Sequence, residues 1–304
     1  MRYTLRQLMV FEAVARHKSF TQAAREMFLT QPAVSIQVKL LEESLGLPLF
    51  EQIGKKLFLT QAGEETYQTT LDILSRLKTL EANMADLQGG VRGQLNLSVV
   101  TAANYFAPLL LGAFLRLHPG VNVKLQVTNR EHVLERLTHN QDDLVIMGQV
   151  PEHLPVEAAP FLDNLLVMVA PPAHPLVGQT SISLQRLAQE KFLVREPGSG
   201  TRIAMEDLFA QQGLAIPVAM ELGSAEAIKY GVMAGLGLTL MSTHNLMLEL
   251  AGEHLVALDV EGLPLRRHWY AVLMRGKRRT RITQTFLDFI QAHSAQVLEE
   301  ALQE

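Results

Sequence analysis

Residues 19–45 read SFTQAAREMFLTQPAVSIQVKLLEESL. The stretch predicts two short helices joined by a tight turn. The first covers residues 21–28, where the small Ala23 and Ala24 let a second helix cross close above them. Leu29-Thr30-Gln31-Pro32 then interrupts the pattern. Thr30 is a good N-cap, and Pro32 is tolerated only in a helix's first turn, where no intrahelical N–H is needed. In the second helix Val34, Val38, Leu41 and Leu45 recur at spacings of four, three and four, which makes one buried stripe. The other face carries Gln31, Ser35, Ile36, Gln37 and Lys39. A helix-turn-helix places such a face in the DNA major groove, with its N-terminal residues on base edges. An ordinary helical hairpin in a core has the same spacing, so this stretch alone leaves both readings open.

The flanks extend the pattern in both directions. Residues 5–16 form a first helix with Leu5, Leu8, Met9, Phe11 and Val14 apolar, completing a three-helix core. Gly46-Leu47-Pro48 stops the third helix. Two short apolar runs, Leu49-Phe50 and Leu57-Phe58-Leu59, then flank a turn containing Gly54, which reads as a β-hairpin. Behind a helix-turn-helix such a hairpin is a wing. Lys55 and Lys56 at its tip can meet phosphates, although lysines on a turn are more often simply solvated. Thr60 caps a helix running to about residue 88, in which Ile73, Leu77, Leu80, Met84 and Leu87 form an a/d seam. Dimerisation through this helix and packing on its own body both account for the seam. Gly89-Gly90 ends the helix, and Val91-Arg92-Gly93 is a short hinge.

From residue 93 the grammar changes to strands alternating with helices. Strands are expected at residues 95–99, 121–127, 144–147, 165–170, 192–195, 218–222, 238–241 and 269–274. Helices fall between them, and a long one closes the chain at 280–302. This alternation predicts a mostly parallel sheet covered on both faces, in two α/β lobes. Such lobes hold ligands at the carboxyl ends of their strands. The loops there carry Thr101-Ala102, Thr128-Asn129-Arg130, Gly148-Gln149, Glu196-Pro197-Gly198-Ser199-Gly200-Thr201-Arg202 and Gly223-Ser224. Hydroxyls and Arg130, Arg195 and Arg202 thus gather at anion-friendly helix N-termini. Taken singly, Thr101, Thr201 and Ser224 are read as helix caps, and only their repetition across both lobes favours a ligand.

Composition narrows the class. The 304 residues are 48% hydrophobic and 19% charged, enough for two domains with sizeable cores. Cysteine is absent, which excludes disulfides, thiolate nucleophiles and Cys-based zinc sites and suits a cytoplasmic protein. The N-terminus lacks the apolar run of a signal peptide. Uncharged stretches at 93–115 and 230–248 contain Asn96, Asn104, Pro108, Ser242, His244 and Asn245, and read as buried strand plus helix rather than membrane spans. Residues 1–60 hold eight Lys/Arg against five Asp/Glu, and the rest nineteen against twenty-six. A basic module on an acidic body fits a local phosphate-binding surface.

Enzyme readings are weak. Gly235-Leu236-Gly237 has Leu240 at the third glycine position of a dinucleotide fingerprint and opens a strand rather than a helix. The GSGTR segment lacks a P-loop ending. The ten histidines show no clustered metal-ligand spacing. His118 and His174, each before a proline, read as structural, and Asp142-Asp143 as a turn before a strand. No catalytic or metal-binding residues are expected. The alternatives, a solute-binding protein or a small-molecule enzyme with a regulatory N-terminus, are disfavoured by residues 21–45 and by the missing catalytic groups respectively.

In this order the parts resemble a LysR-type transcriptional regulator over essentially the whole chain. The stretch LRQLMVFEAVARHKSFTQAAREMFLTQPAVSIQVKLLEESLGLPLFEQIGKKLFLTQAG carries the match, with the region beginning Gly93-Gln94-Leu95. Within the family the chain is most similar to regulators of Calvin-cycle and RuBisCO operons. The residues behind this are Thr128-Asn129-Arg130-Glu131, DLVIMG from Asp143, VREPGSGTR from Val194 and GSAEAIK from Gly223.

The resemblance implies an α/β fold in three parts. These are a winged helix-turn-helix at 1–60, a linker and dimerisation helix at 61–90 and a two-lobed effector domain at 91–304 like a type 2 periplasmic binding protein. Lobe I takes 91–162 and 268–304, and lobe II takes 163–267. It implies a dimer through residues 61–88 within a homotetramer on an interrupted palindrome, activating a divergent operon with RNA polymerase. It implies no cofactor, and an inducer that is a phosphorylated sugar or acid, or NADPH. DNA contacts fall to Gln31, Pro32, Ala33, Ser35, Ile36 and Lys39, with Lys55 and Lys56 on the backbone. Thr101, Ala102, Thr128, Gly148, Thr201 and Ser224 line the effector pocket, with Arg130 and Arg202 offering charge. Four positions depart from the family pattern. Gln52 stands for an arginine in the wing, Ile36 for a polar residue, Ala225 for an asparagine and Gln149 for an arginine. Ile36 points to apolar readout, for example of a thymine methyl.

Overall fold

The computed structural model describes residues 3–54, 56–87 and 91–301, without the side chains of residues 75, 78, 79, 81–83 and 85–87. Lys55, the Gly89-Gly90 hinge, the Leu87 side chain of the seam and Leu302 lie outside the described residues. The chain divides into two compact units, residues 1–84 and 85–304.

The first unit starts with α1 (Leu5–His17), opened by a capping box between Thr4 and Gln7. Then come α2 (Phe20–Glu26) and α3 (Gln31–Leu45). Val10, Ala13 and Val14 of α1 pack with Ala23, Ala24, Val34 and Val38, all buried. The Thr30 hydroxyl accepts from the Ala33 N–H at 3.4 Å, and Pro32 sits in the first turn of α3. Gly46, at φ 76°, takes the left-handed geometry that ends α3. The hairpin of β1 (Phe50–Ile53) and β2 (Lys56–Leu59) follows, in antiparallel register Phe50↔Leu59 to Ile53↔Lys56. Glu42 fixes its base: its carboxylate accepts from the Leu49 N–H at 2.8 Å and the Phe50 N–H at 3.4 Å. Thr60 accepts from the Gly63 N–H at the start of α4 (Gln61–Leu87). A Cβ on Gly63 would lie 2.0 Å from the Leu49 carbonyl oxygen, so only glycine lets the helix begin this close to the hairpin. Ile73 is partly buried against the cluster of Leu8, Phe11, Leu41, Leu49 and Tyr67, while Leu80 and Met84 of the same seam are exposed.

The second unit runs β3 (Gly93–Val100), a 3-10 turn at Thr101–Ala103, α5 (Ala107–Leu117), β4 (Val121–Thr128), α6 (Arg130–Thr138), β5 (Leu144–Met147) and β6 (Val156–Ala170). It continues with α7 (Leu184–Leu187), β7 (Phe192–Val194), α8 (Gly200–Ala210), β8 (Val218–Glu221), α9 (Ala225–Met233) and β9 (Thr239–Ser242). It closes with α10 (Met247–Ala251), β10 (Val256–Ala257), β11 (Leu265–Met274) and α11 (Arg281–Ala301). Two large apolar cores form, with smaller clusters around Ile228 and around Val133. One gathers residues between 95 and 146 with 269–298, centred on Phe106, Phe114, Trp269 and Phe286. The other gathers residues 166–260, centred on Phe192 and Phe209.

The sheet corrects the expectation of mostly parallel pairing. Its order is β10-β6-β11-β5-β3-β4, with β9 also on β6. Only β3–β4 and β3–β5 are parallel there, while β6 pairs antiparallel with β9, β10 and β11, and β11 with β5. The reason is that β6 and β11 are long. They start at Val156 and Leu265, well before the expected residues 165 and 269, and pair over ten positions. These two strands run through both cores as one antiparallel ribbon. A second, two-stranded parallel sheet joins β7 and β8.

Candidate functional site

Two surfaces carry candidate chemistry, one in each unit. On α3 the buried stripe is Val34, Val38 and Leu41, which leaves Gln31, Pro32, Ile36 and Lys39 exposed and Ala33 and Ser35 half-buried. The Gln31 amide donates to the Ser35 hydroxyl at 3.0 Å, so the two polar heads are held together on one face. Lys39 is only loosely paired with Glu43, at 3.9 Å, and both are exposed. Ile36 is 56% exposed, an unusual place for an isoleucine on a packed helix. Lys56 is exposed on the wing, and the Gln52 amide donates to the Gly54 carbonyl at 3.2 Å, where it stiffens the turn. Sequence reasoning missed Phe28. It is 95% exposed, in the left-handed region at φ 53°, two residues before Thr30.

The second surface is a cleft at strand and helix ends of the other unit. Val100, Thr101 and Ala102 line it from the end of β3, and Met147, Gly148 and Gln149 from the end of β5. Asn164 and Leu166 of β6 and Arg267 and Trp269 of β11 form its floor. Arg130 opens α6, Arg195 and Glu196 follow β7, and Ser199, Gly200 and Thr201 begin α8. The inner pocket has a volume of about 50 Å³. A wider space of about 540 Å³ shares Arg130, Glu196 and Ser199 with it.

Of the eight residues expected around an effector, Thr101, Ala102, Arg130, Gly148 and Thr201 are brought together here. Thr128, Arg202 and Ser224 are not among its lining. The Arg202 guanidinium is engaged by Glu206 at 2.7 Å, Glu221 at 2.6 Å and the Arg195 carbonyl at 2.9 Å. Those carboxylates raise its pKa further. Ser224 caps α9 by accepting from the Ala227 N–H. The cap readings of the other two are corrected: Ser199 is the N-cap of α8, so Thr201 lies inside the first turn, and Thr101 opens a 3-10 turn without capping it.

The electrostatics are uneven. Three arginines, Arg130, Arg195 and Arg267, face one lining carboxylate, Glu196. Arg130 Nη1 is buried with no hydrogen-bond partner among the described residues. Burial pushes its pKa down, because a desolvated cation without a counter-charge is disfavoured. Gln149 Oε1 and Asn164 Oδ1, on the same lining, are also buried and unpartnered. Buried polar groups are nearly always satisfied, so three orphans around one pocket mark a place that accepts polar groups from outside. Gly148 keeps the space open, since a Cβ there would come within 3.3 Å of the Asn164 amide and 3.4 Å of the Trp269 ring. Behind Trp269, its indole N–H donates to His244 Nδ1 at 3.4 Å, and burial holds His244 below the usual histidine range. Asn164, Arg267 and Trp269 were missed because they sit in mid-strand, where no loop or cap signal marks them. Among the described residues, no group of three or more His, Cys, Asp or Glu is placed to hold a metal, and no helix is long and apolar enough to cross a membrane.

A helix-turn-helix with a wing and an arginine-lined cleft between two α/β cores define a ligand-responsive DNA-binding protein. The chain belongs to the LysR family: residues 5–64 match the bacterial regulatory helix-turn-helix protein, lysR family, and residues 88–295 match the LysR substrate binding domain. It is a transcriptional regulator and not an enzyme. It is 48% identical to the RuBisCO operon transcriptional regulator of Allochromatium vinosum, over 98% of each chain. It is 46% identical to the HTH-type transcriptional activator CmpR of Synechocystis, over 97% of each. Among solved structures it is similar to the Synechocystis PCC6803 CcmR regulatory domain in complex with 2-PG. That match has 43% identity and a TM-score of 0.65, and covers 67% of this chain and 98% of that one.

Proposed function

We propose that this regulator activates a carbon-fixation operon when a small dianion of the 2-phosphoglycolate class occupies the cleft around Arg130. The observation that carries the reading is the buried Arg130 nitrogen, unpartnered among the described residues, on a lining that also holds Arg195 and Arg267. The names of the relatives and the 2-PG complex of the CcmR regulatory domain support it. Size argues for a small acid over NADPH: the inner pocket is about 50 Å³, so a dinucleotide keeps most of its bulk in the outer space. A second reading, a regulator that senses a small carboxylate for another pathway, is favoured by Gln149 in place of an arginine. Arg267 on the same lining offsets that loss of charge.

The rest of the mechanism follows from this assignment. Gln31, Pro32, Ala33, Ser35, Ile36 and Lys39 read the major groove, while Lys55 and Lys56 meet phosphates. Residues 1–60 form the DNA-binding domain, 61–90 the linker helix and 91–304 the effector domain. The lobes divide at 162/163 and 267/268. The exposed Leu80 and Met84 support dimerisation through the linker helix. Tetramer formation on an interrupted palindrome, contact with RNA polymerase and residence in the cytoplasm complete the assignment.

Trp269 is the only tryptophan in the chain and lines the pocket, so intrinsic fluorescence reports occupancy directly. Titration with 2-phosphoglycolate is expected to give a saturable change, and NADPH a weaker one or none. No change with 2-phosphoglycolate, phosphorylated sugars or small carboxylates, with no thermal shift from any of them, would overturn the reading.

A further inference from the structure

Two cations of the cleft are in different states. Arg130 has a nitrogen with no partner among the described residues. Arg195, only 6% exposed, already has a carboxylate: its Nε donates to Glu196 Oε2 at 2.8 Å and its Nη2 to Glu196 Oε1 at 2.8 Å. Arg195 Nη2 also donates to Thr101 Oγ1 at 3.0 Å, which links the end of β7 to the end of β3 across the cleft. Glu196 lines both the inner pocket and the outer space, so it stands where they meet.

A carboxylate at this position is costly for a site that takes anions. It repels the ligand, and its fork uses the same two donors that a ligand carboxylate or phosphate would use. Neutralising Arg195 explains the pair only in the ligand-free protein.

We propose that Glu196 is an internal counter-anion that a two-ended anionic effector displaces from Arg195. The proposal rests on the reading of the cleft as an effector site and adds to it a rule of selection. One anionic group of the effector pairs with Arg130. The second takes the Arg195 fork, and the Glu196 carboxylate turns to the outer space. A single-ended anion satisfies Arg130 alone and leaves the Arg195–Glu196 pair intact. Because Arg195 also holds Thr101, only the two-ended ligand disturbs a bond that joins the two cores. Glu196 thereby sets both a threshold for binding and a preference for dianions.

The test uses the full-length chain, with Glu196→Asp and Glu196→Gln, titrated calorimetrically with 2-phosphoglycolate and with glycolate. Aspartate keeps the charge but is one methylene too short for the two-toothed grip. Glu196→Asp is therefore expected to bind 2-phosphoglycolate several-fold more tightly than wild type, and Glu196→Gln about tenfold or more. Glycolate is expected to bind Glu196→Asp as it binds wild type. If Glu196 acts only through its field, Glu196→Asp matches wild type and Glu196→Gln tightens both ligands alike, which overturns the proposal. Weaker binding by both variants also overturns it. If wild type binds no 2-phosphoglycolate but the variants do, displacement is supported as the limiting step. If none of the three binds, the effector reading itself falls. Melts of the ligand-free variants verify that each is folded.

Discussion

Arg130 is the residue at which stability and the proposed function pull apart. A half-buried guanidinium with an unpartnered nitrogen is a liability to the empty protein, and burial lowers its pKa accordingly. Arg130→Met keeps the apolar stem and removes the charge. We expect the variant to melt no lower than wild type, and to lose 2-phosphoglycolate affinity by about one to two orders of magnitude, as for a lost charged hydrogen bond. A variant that melts lower and binds as wild type would remove Arg130 from the site. Phe28 makes the same kind of argument in the other unit. A bulky side chain at φ 53° is strained by about 1 kcal/mol, and at 95% exposure its ring gains no packing in return. Phe28→Asn, which tolerates this backbone, is expected to raise the melting temperature of the DNA-binding unit by a few degrees. An unchanged or lower melt would mean that the ring has a packing role.

At the scale of elements, the proposed assignment divides the work of reading DNA between α3 and the wing. Ser35 lies on the face that bears Gln31 and Ile36, so Ser35→Ala is expected to change sequence preference. Lys56→Ala is expected to weaken all DNA alike and to flatten the salt dependence by roughly one unit of slope. Competition binding at several salt concentrations separates the two, and equal losses on operator and random DNA for Ser35→Ala would contradict the assignment. The α1–α2 pair has its own pH dependence. Glu26 accepts from Arg16 at 2.6 Å and lies 2.5 Å from His17 Nε2, and with Arg16 as the main cause its pKa falls to about 2. A carboxylate lowered on folding contributes stability that is fully present above about pH 4.5 and is lost as pH falls towards 2. Acid melts of wild type are expected to show this loss, and Glu26→Gln to flatten it. Parallel acid profiles for the two would contradict the pairing.

Much of this element scale was legible in the sequence because its signals are local. Thr30 with Pro32, Gly46 and Thr60 mark helix ends by backbone chemistry that needs no partner elsewhere. The long strands were not legible. Residues 156–164 include Pro160 and Asp163 and have no clean alternation, and their pairing with residues 265–274 is fixed by contacts about a hundred residues apart. The cleft inherited this split. Thr101, Arg130, Gly148 and Thr201 sit at element ends that punctuation marks, whereas Asn164, Arg267 and Trp269 lie inside the ribbon that punctuation cannot place. Arg202 was misleading for a related reason: its sequence position suits a ligand, but Glu206 and Glu221, the latter nineteen residues away, take its donors.

For the whole molecule, a ligand alters transcription only if it binds the DNA-competent and DNA-incompetent states with different affinity. The β6–β11 ribbon runs through both cores, and the Arg195–Thr101 bond crosses the cleft beside it, so an anion in the proposed site would touch elements of both cores at once. Linkage then requires reciprocity: whatever 2-phosphoglycolate does to operator affinity, operator does to 2-phosphoglycolate affinity by the same factor. The most direct measurement is operator binding by the full-length chain, followed by fluorescence anisotropy, with and without saturating 2-phosphoglycolate, for wild type and Arg130→Met. The expected result is a shift of about fivefold or more in wild-type operator affinity, with Arg130→Met binding operator normally and not responding. Identical wild-type isotherms at full occupancy of the cleft, shown by Trp269 fluorescence, would contradict the claim that this cleft is the regulatory site.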